Sequence, residues 1–290
     1  MVRDWDVLFE TWRKPPSETE QQKAEAVRSA ITHAVIGNPR FASLHPKFVL
    51  HGSYGNNTNV RLESDVDVAV VVTDYCIADF TLVPGMTRTE AGISDATYTL
   101  SQARQDVEVA LRDSFGWNRV QAKPKAIHIS ESTRHIEADV IACVEYWLYY
   151  GRSREQRHSG ICFQSQSGQL IKSWPEQNKA NSTAKAQRTS RRYKKVVRIL
   201  KRLRNEMADK GHGSASKMCG FLIESLAYNV PDHHFGQATL RKDIRQVIAA
   251  GRKRVSLKRG RSLWDGCFGS AETRPGPRCY ERAGRLFGPR

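Results

Sequence analysis

Nowhere do the 290 residues run apolar for the roughly 20 positions that a bilayer-spanning helix needs. The opening stretch, MVRDWDVLFETWRK, carries acids where a secretion signal would be apolar. A cytoplasmic chain is expected on those grounds. Six cysteines (Cys76, Cys143, Cys162, Cys219, Cys267 and Cys279) form no C-x-x-C pair, which excludes a zinc ribbon and leaves a disulfide framework without its usual spacing. They are read as reduced thiols, with Cys143 and Cys219 as small core residues in apolar segments. The nine histidines (His33, His45, His51, His128, His135, His158, His212, His233 and His234) offer no metal-ligand spacing beyond the adjacent loop pair, so they are read as bystanders. No internal repeat is present.

Acid is scarce in one half of the chain only. Residues 151–290 hold 31 Lys+Arg against 10 Asp+Glu, a net of +21, whereas residues 1–150 hold 15 against 20, a net of −5. An acidic half beside a basic half suits a protein in which one lobe binds cations and the other grips phosphates. The plainer alternative is a nucleic-acid-binding basic domain joined to an unrelated acidic one. At 39% hydrophobic and 26% charged, the chain can bury one large core or two lobes.

Periodicity predicts a helix over Glu18–Ile36, where Ala24, Val27, Ile31 and Val35 recur at helical spacing, with Ser17 as its N-cap. Phe48–Leu50 reads as a short buried strand, and DVDVAVVVT from Asp65 as a central one. Lys125–Ile129 and Ile136–Val144 are two more strands. Tyr98–Phe115 is a crossover helix between them. A hairpin follows over ICFQSQSGQLIKSWP, with its turn at Ser167-Gly168 and its end at Pro175. Beyond it come helices over 188–208, Lys217–Asn229 and Thr239–Ala250, the last two separated by VPDHHFG as a loop. The expected plan is an α/β (α+β) core with a mixed sheet over residues 1–170, then a helical lobe over 171–250. Residues 251–290 have 11 Lys+Arg against 3 Asp+Glu, with many glycines and prolines, and are expected to be a disordered or divergent tail.

The stretch HGSYGNNTNVRLESDVDVAVVV, residues 51–72, carries the chemistry. Gly52-Ser53 after a strand allows backbone to approach a ligand closely. A helix opening there would aim free N–H groups at phosphate oxygens, with the Ser53 hydroxyl beside them. The two-residue period of a strand puts Asp65 and Asp67 on one side, where like charges repel unless a cation lies between them. Hard carboxylate oxygens match Mg²⁺. Asp139, in a second apolar strand, would complete a two-metal site for in-line phosphoryl transfer. Glu137 shares its face two residues earlier.

Gly52-Ser53, Asp65-x-Asp67 and a later Asp139 together resemble the signature of the polymerase-beta-like nucleotidyltransferases. Within that superfamily the chain resembles the CD-NTases, the cyclic-oligonucleotide synthases of bacterial anti-phage signalling, which are related to cyclic GMP-AMP synthase and the oligoadenylate synthases. SWPEQN (173–178), RRYKKVVRILKRLRNEM (191–207) and FLIESLAYNVP (221–231) extend the likeness from about Phe41 to about Ile248. The resemblance implies that Asp65, Asp67 and Asp139 hold two Mg²⁺ or Mn²⁺ ions. It selects Asp139 over Glu137, because the family's third acid is followed by apolar residues. It implies nucleoside triphosphate substrates, release of pyrophosphate, and a downstream effector that reads a cyclic product. It also assigns Lys201 to the donor's β and γ phosphates, and places Ser214 and Ser216 near a serine of similar role. One departure stands out. Relatives usually finish with further packed helices, which residues 251–290 do not resemble.

Residues 185–204 contain 10 basic residues and no acid. Arg191, Lys194, Lys195, Arg198, Lys201 and Arg202 follow one another at helical steps opposite the apolar stripe. Such a face either is solvated or meets an anion. Its charge, together with Arg252, Lys253 and Arg254 in the tail, also predicts weak, non-specific nucleic-acid binding that fades with salt. Two other functions remain open: template-independent nucleotidyl transfer to RNA or protein, and a non-catalytic nucleic-acid-binding relative.

Overall fold

The computed structural model describes residues 3–60, 65–132 and 136–257, the last six by backbone alone. In chain order the elements begin with helices α1 (Trp5–Trp12) and α2 (Glu18–Ile36), strand β1 (Pro46–Leu50) and the short helix α3 (Gly52–Asn56). The sheet core continues through β2 (Val66–Asp79), α4 (Leu100–Phe115), β3 (Val120–Ala122), β4 (Ile127–Ile129), β5 (Ala138–Tyr149), β6 (Arg157–Gln164) and β7 (Leu170–Ser173). Helices α5 (Pro175–Arg188), α6 (Arg192–Asp209), α7 (Gly213–Ser216), α8 (Gly220–Tyr228) and α9 (Leu240–Leu257) complete the described chain.

Two compact units result. Among the described residues one, the sheet unit, takes 18–55, 65–132 and 136–176; the other, the helical unit, takes 3–17, 56–60 and 177–257. Segment 56–60, just after the Gly-Ser turn, therefore folds with the helices.

In the sheet unit the strand order is β1-β2-β5-β4-β3, with β6 paired to β5 and β7 to β6. Among the described strands only β2 and β5 run parallel; the other pairs are antiparallel, so the sheet is mixed. The valine run explains why β2 is central, because both of its faces are buried. Val66, Val68, Val70 and Val72 pack with Val27, Ile31 and Val35 of α2 and Val107 and Leu111 of α4. Ala69 and Val71 pack on the other side with Ile141, Cys143, Ile161 and Phe163. A bulge at residues 73–75 shifts the register between Val72 and Cys76. Helix α4 starts at Leu100, two residues after the predicted Tyr98, because Thr99 and Gln102 form a reciprocal capping box. Phe48 and its strand prove half-buried.

The helical unit departs more from the sequence reading. Where one helix was predicted over 188–208, α5 and α6 meet at Ser190 and Arg191, both with left-handed backbone. The Thr189 hydroxyl accepts from the Tyr193 N–H at 3.1 Å and so opens the second helix. Helix α5 itself was missed, because its buried positions are Ser182, Lys185 and Ala186, which leave no apolar stripe to read. The predicted Lys217–Asn229 helix is shorter, as α8. The α9 backbone stays helical to Leu257, seven residues past the expected end at Ala250. The tail that follows lies outside the described residues. Buried Phe9 of α1 joins Tyr193, Val196, Val197 and Ile199 of α6 and Ile244 and Val247 of α9 in one core.

Candidate active site

In the sheet unit, strand register places the acids. Asp67 of β2 lies directly beside Asp139 of parallel β5. Both carry the parity of Ala69, Val71, Ile141 and Cys143, on the face away from α2 and α4. Asp65 precedes β2 and is exposed. Two carboxylates at neighbouring register positions oppose each other, and such pairs are unfavourable without a counter-charge.

Side chains of β4 and of the turn before it reach this pair. His128, the antiparallel register partner of Asp139, brings its Nδ1 to 2.8 Å from Asp139 Oδ1. Lys123 Nζ lies 3.5 Å from the same oxygen. The expectation that His128 is a bystander is corrected: it is buried and touches a site carboxylate. The sequence showed only an IHI triplet, whose register against β5 is a matter of tertiary pairing.

Gly52 closes the other side of Asp67. A Cβ at Gly52 would fall 2.0 Å from Asp67 Oδ2, and its φ of +59° already favours glycine. The preceding residue is tied to the same strand by a bond from the His51 N–H to the Asp67 carbonyl at 3.1 Å. Burial drives the His51 imidazole pKa down to about 4, with Asp139 pulling weakly upward, so this ring is neutral at pH 7. Helix α3 behind Ser53 has five residues, so its aligned dipole is slight and the turn acts through individual N–H groups. Glu137 is exposed outside the strand, whereas Asp139 lies within it. His135 lies outside the described residues.

In the helical unit the basic face is not what its spacing suggested. Arg198 and Lys201 are buried. Arg198 donates to the carbonyls of Arg13 at 2.8 Å and Asn57 at 2.7 Å; burial, reinforced by Arg13, lowers its pKa to about 10, which leaves it protonated. Lys201 Nζ donates to Glu224 Oε1 at 2.6 Å. Ser214 and Ser216 are exposed on α7, and the Ser216 hydroxyl donates back to the Gly213 carbonyl. Glu224, within FLIES, and the polar run Asn56–Asn59, which are buried, were not singled out from sequence.

Among the described residues no three His, Cys, Asp or Glu side chains gather into a metal cage. The acids form an open pair with Asp65 at its edge, an arrangement that suits an ion taking further ligands from water and substrate phosphates.

Solved structures share this fold. The structure of Rhodothermus marinus CdnE c-UMP-AMP synthase with Apcpp and Upnpp matches with a TM-score of 0.80 at 27% identity, over 98% of this chain and 95% of that one. Elizabethkingia meningoseptica CdnE cyclic dinucleotide synthase, with GTP and Apcpp, matches with a TM-score of 0.78 at 29% identity, over 98% and 97%. The fold is that of a polymerase-beta-like nucleotidyltransferase. Residues 180–264 match the model of the cGAS/DncV-like nucleotidyltransferase C-terminal helical domain. The cyclic dipyrimidine nucleotide synthase CdnE of Legionella pneumophila is 37% identical over 252 residues, 86% of this chain and 84% of that one. The chain belongs to the CD-NTase family of nucleotidyltransferases.

Proposed function

We propose that this protein joins two nucleoside triphosphates into a cyclic dinucleotide with loss of pyrophosphate, in anti-phage signalling where a downstream effector reads the product. The observation that carries this reading is the register pairing of Asp67 with Asp139 against the glycine-tight turn at Gly52. Its relatives' names add the product class: cyclic dipyrimidine synthesis in Legionella and UMP-AMP joining in Rhodothermus.

Asp65, Asp67 and Asp139 would hold two divalent cations, Mg²⁺ or Mn²⁺. When bound, such ions clamp a donor triphosphate and lower the pKa of an attacking hydroxyl. The chain's own contribution is placement. Gly52 lets the backbone of the turn approach the Asp67 carboxylate, and Ser53 offers a hydroxyl to donor phosphate oxygens. His128 and Lys123 fix Asp139 through Oδ1. Holding a carboxylate in one rotamer lowers the cost of orienting it around an ion.

Labelled triphosphates, singly and in pairs with Mg²⁺ or Mn²⁺, followed by phosphatase treatment and chromatography, test the reading. Phosphatase-resistant dinucleotide is expected. Label appearing only in added RNA or protein, or no pyrophosphate release at all, would reject it.

His128→Phe is expected to raise the metal concentration at half-maximal turnover about tenfold, the scale on which groups behind a ligand act. A metal titration of pyrophosphate release checks this, and an unchanged midpoint removes His128 from the site.

A further inference from the structure

Strand register draws four side chains into one row across the sheet unit. Val49 of β1 pairs with Ala69 of β2, and the ladder runs on past the end of β1, where the His51 N–H donates to the Asp67 carbonyl at 3.1 Å. His51 is therefore the cross-strand neighbour of Asp67, as Asp67 is of Asp139 and Asp139 is of His128. Val49, two residues before His51, packs with Ala69, Val71, Ile141 and Cys143. That parity puts the imidazole on the face that carries both acids. The order across the row is His51, Asp67, Asp139, His128, with two carboxylates between two imidazoles.

The two histidines differ in their partners. His128 Nδ1 lies 2.8 Å from Asp139 Oδ1, whereas His51 Nε2 is shielded from solvent and has no hydrogen-bond partner among the described residues. A buried polar atom without a partner costs stability and calls for a reason. An apolar side chain would fill the position without that cost. Register neighbours stand about 5 Å apart at Cβ, within reach of an imidazole. A carboxylate that ligates an ion is itself held by hydrogen bonds from groups behind it. Burial keeps the His51 ring neutral, so it can bring Asp67 a hydrogen bond and adds no charge.

We propose that His51 is a positioning residue for Asp67: its Nε2–H donates to the Asp67 carboxylate when that carboxylate ligates a divalent ion, as His128 serves Asp139 from the other end of the row. This role rests on Asp67 being an ion ligand, the reading given above.

The test titrates Mn²⁺ alone against the whole protein and reads Tm, beside the metal dependence of pyrophosphate release. Three substitutions separate the two ring nitrogens. Glutamine offers an N–H at about the reach of Nε2, asparagine one at about the reach of Nδ1, and methionine none. His51→Met removes the unpartnered atom, so its metal-free Tm should hold or rise. The Mn²⁺ concentration at half-maximal Tm gain should rise about tenfold, and the midpoint for turnover should move with it. His51→Asn should follow His51→Met, while His51→Gln should stay within about threefold of wild type.

Three results overturn the role. If His51→Met melts lower without metal and keeps the wild-type Mn²⁺ midpoint, His51 is a packing residue. If His51→Asn keeps the midpoint and His51→Gln loses it, the contact belongs to Nδ1. If Mn²⁺ leaves the wild-type Tm unchanged, the ion reading of Asp67 fails and this role falls with it. A wild-type gain that survives all three substitutions rejects His51 alone.

Discussion

Asp67→Asn is expected to lower turnover by about a thousandfold or more, the loss that follows from removing several kcal/mol of metal-borne charge stabilisation. Asparagine keeps the shape of the side chain, so the fit against Gly52 survives and only the charge is lost. Stability should move the other way. With Asp139 alongside in register, replacing one of two facing carboxylates relieves repulsion, and the metal-free Tm should hold or rise. Wild-type protein should gain Tm when Mn²⁺ is added, because an ion that binds only the folded state stabilises it; the variant should lose most of that gain. Pyrophosphate release and thermal melts with and without metal decide the matter. Activity within tenfold of wild type would remove Asp67 from the chemistry, and a marked fall in metal-free Tm would make its role structural.

Gly52→Ala should cost about a hundredfold in turnover. The new methyl would meet Asp67 Oδ2 at 2.0 Å, so the carboxylate must move, and a misplacement of about 1 Å carries a penalty of that order. Left-handed backbone adds strain of about 1–2 kcal/mol for a residue with a Cβ, and a Tm loss of a few degrees accompanies it. Gly92→Ala separates the two effects. Gly92 also has positive φ, +66°, yet a Cβ there meets nothing within 4 Å. It should lose similar Tm and keep wild-type turnover. Equal activity losses at both glycines would show that backbone strain, not the approach to Asp67, is responsible.

Elements whose side chains announce their burial were legible. The α2 helix is found at Glu18–Ile36, as predicted, because its apolar residues fall on one 3.6-residue stripe. The β2 strand was found from its valines, although its length was underestimated, since Thr73, Asp74 and Tyr75 form a bulge and the strand resumes beyond it. Helix α5 was invisible for the opposite reason: Lys185 and Ser182 are buried there as polar groups, and their partners lie far along the chain, as with Lys185 and Asp232.

Charge gave the most instructive divergence. Ten cations without an acid in residues 185–204 suggested a single exposed or anion-binding face. The acids were present, but elsewhere in the chain: Glu224 serves Lys201 and Asp232 serves Lys185 and Arg188. Such pairings leave less of the net charge available to a polyanion and favour a weak, salt-sensitive attraction.

By itself the sequence determined the local terms: the buried strand behind Asp65 and Asp67, the glycine before Ser53, and the amphipathic stripes of α2 and α6. These follow from side-chain period and backbone freedom, which act over a few residues. Tertiary structure decided which carboxylate stands beside Asp67, that His128 touches it, and that Lys201 faces Glu224. Those contacts depend on strand register and helix packing between segments tens of residues apart, and no local period encodes them.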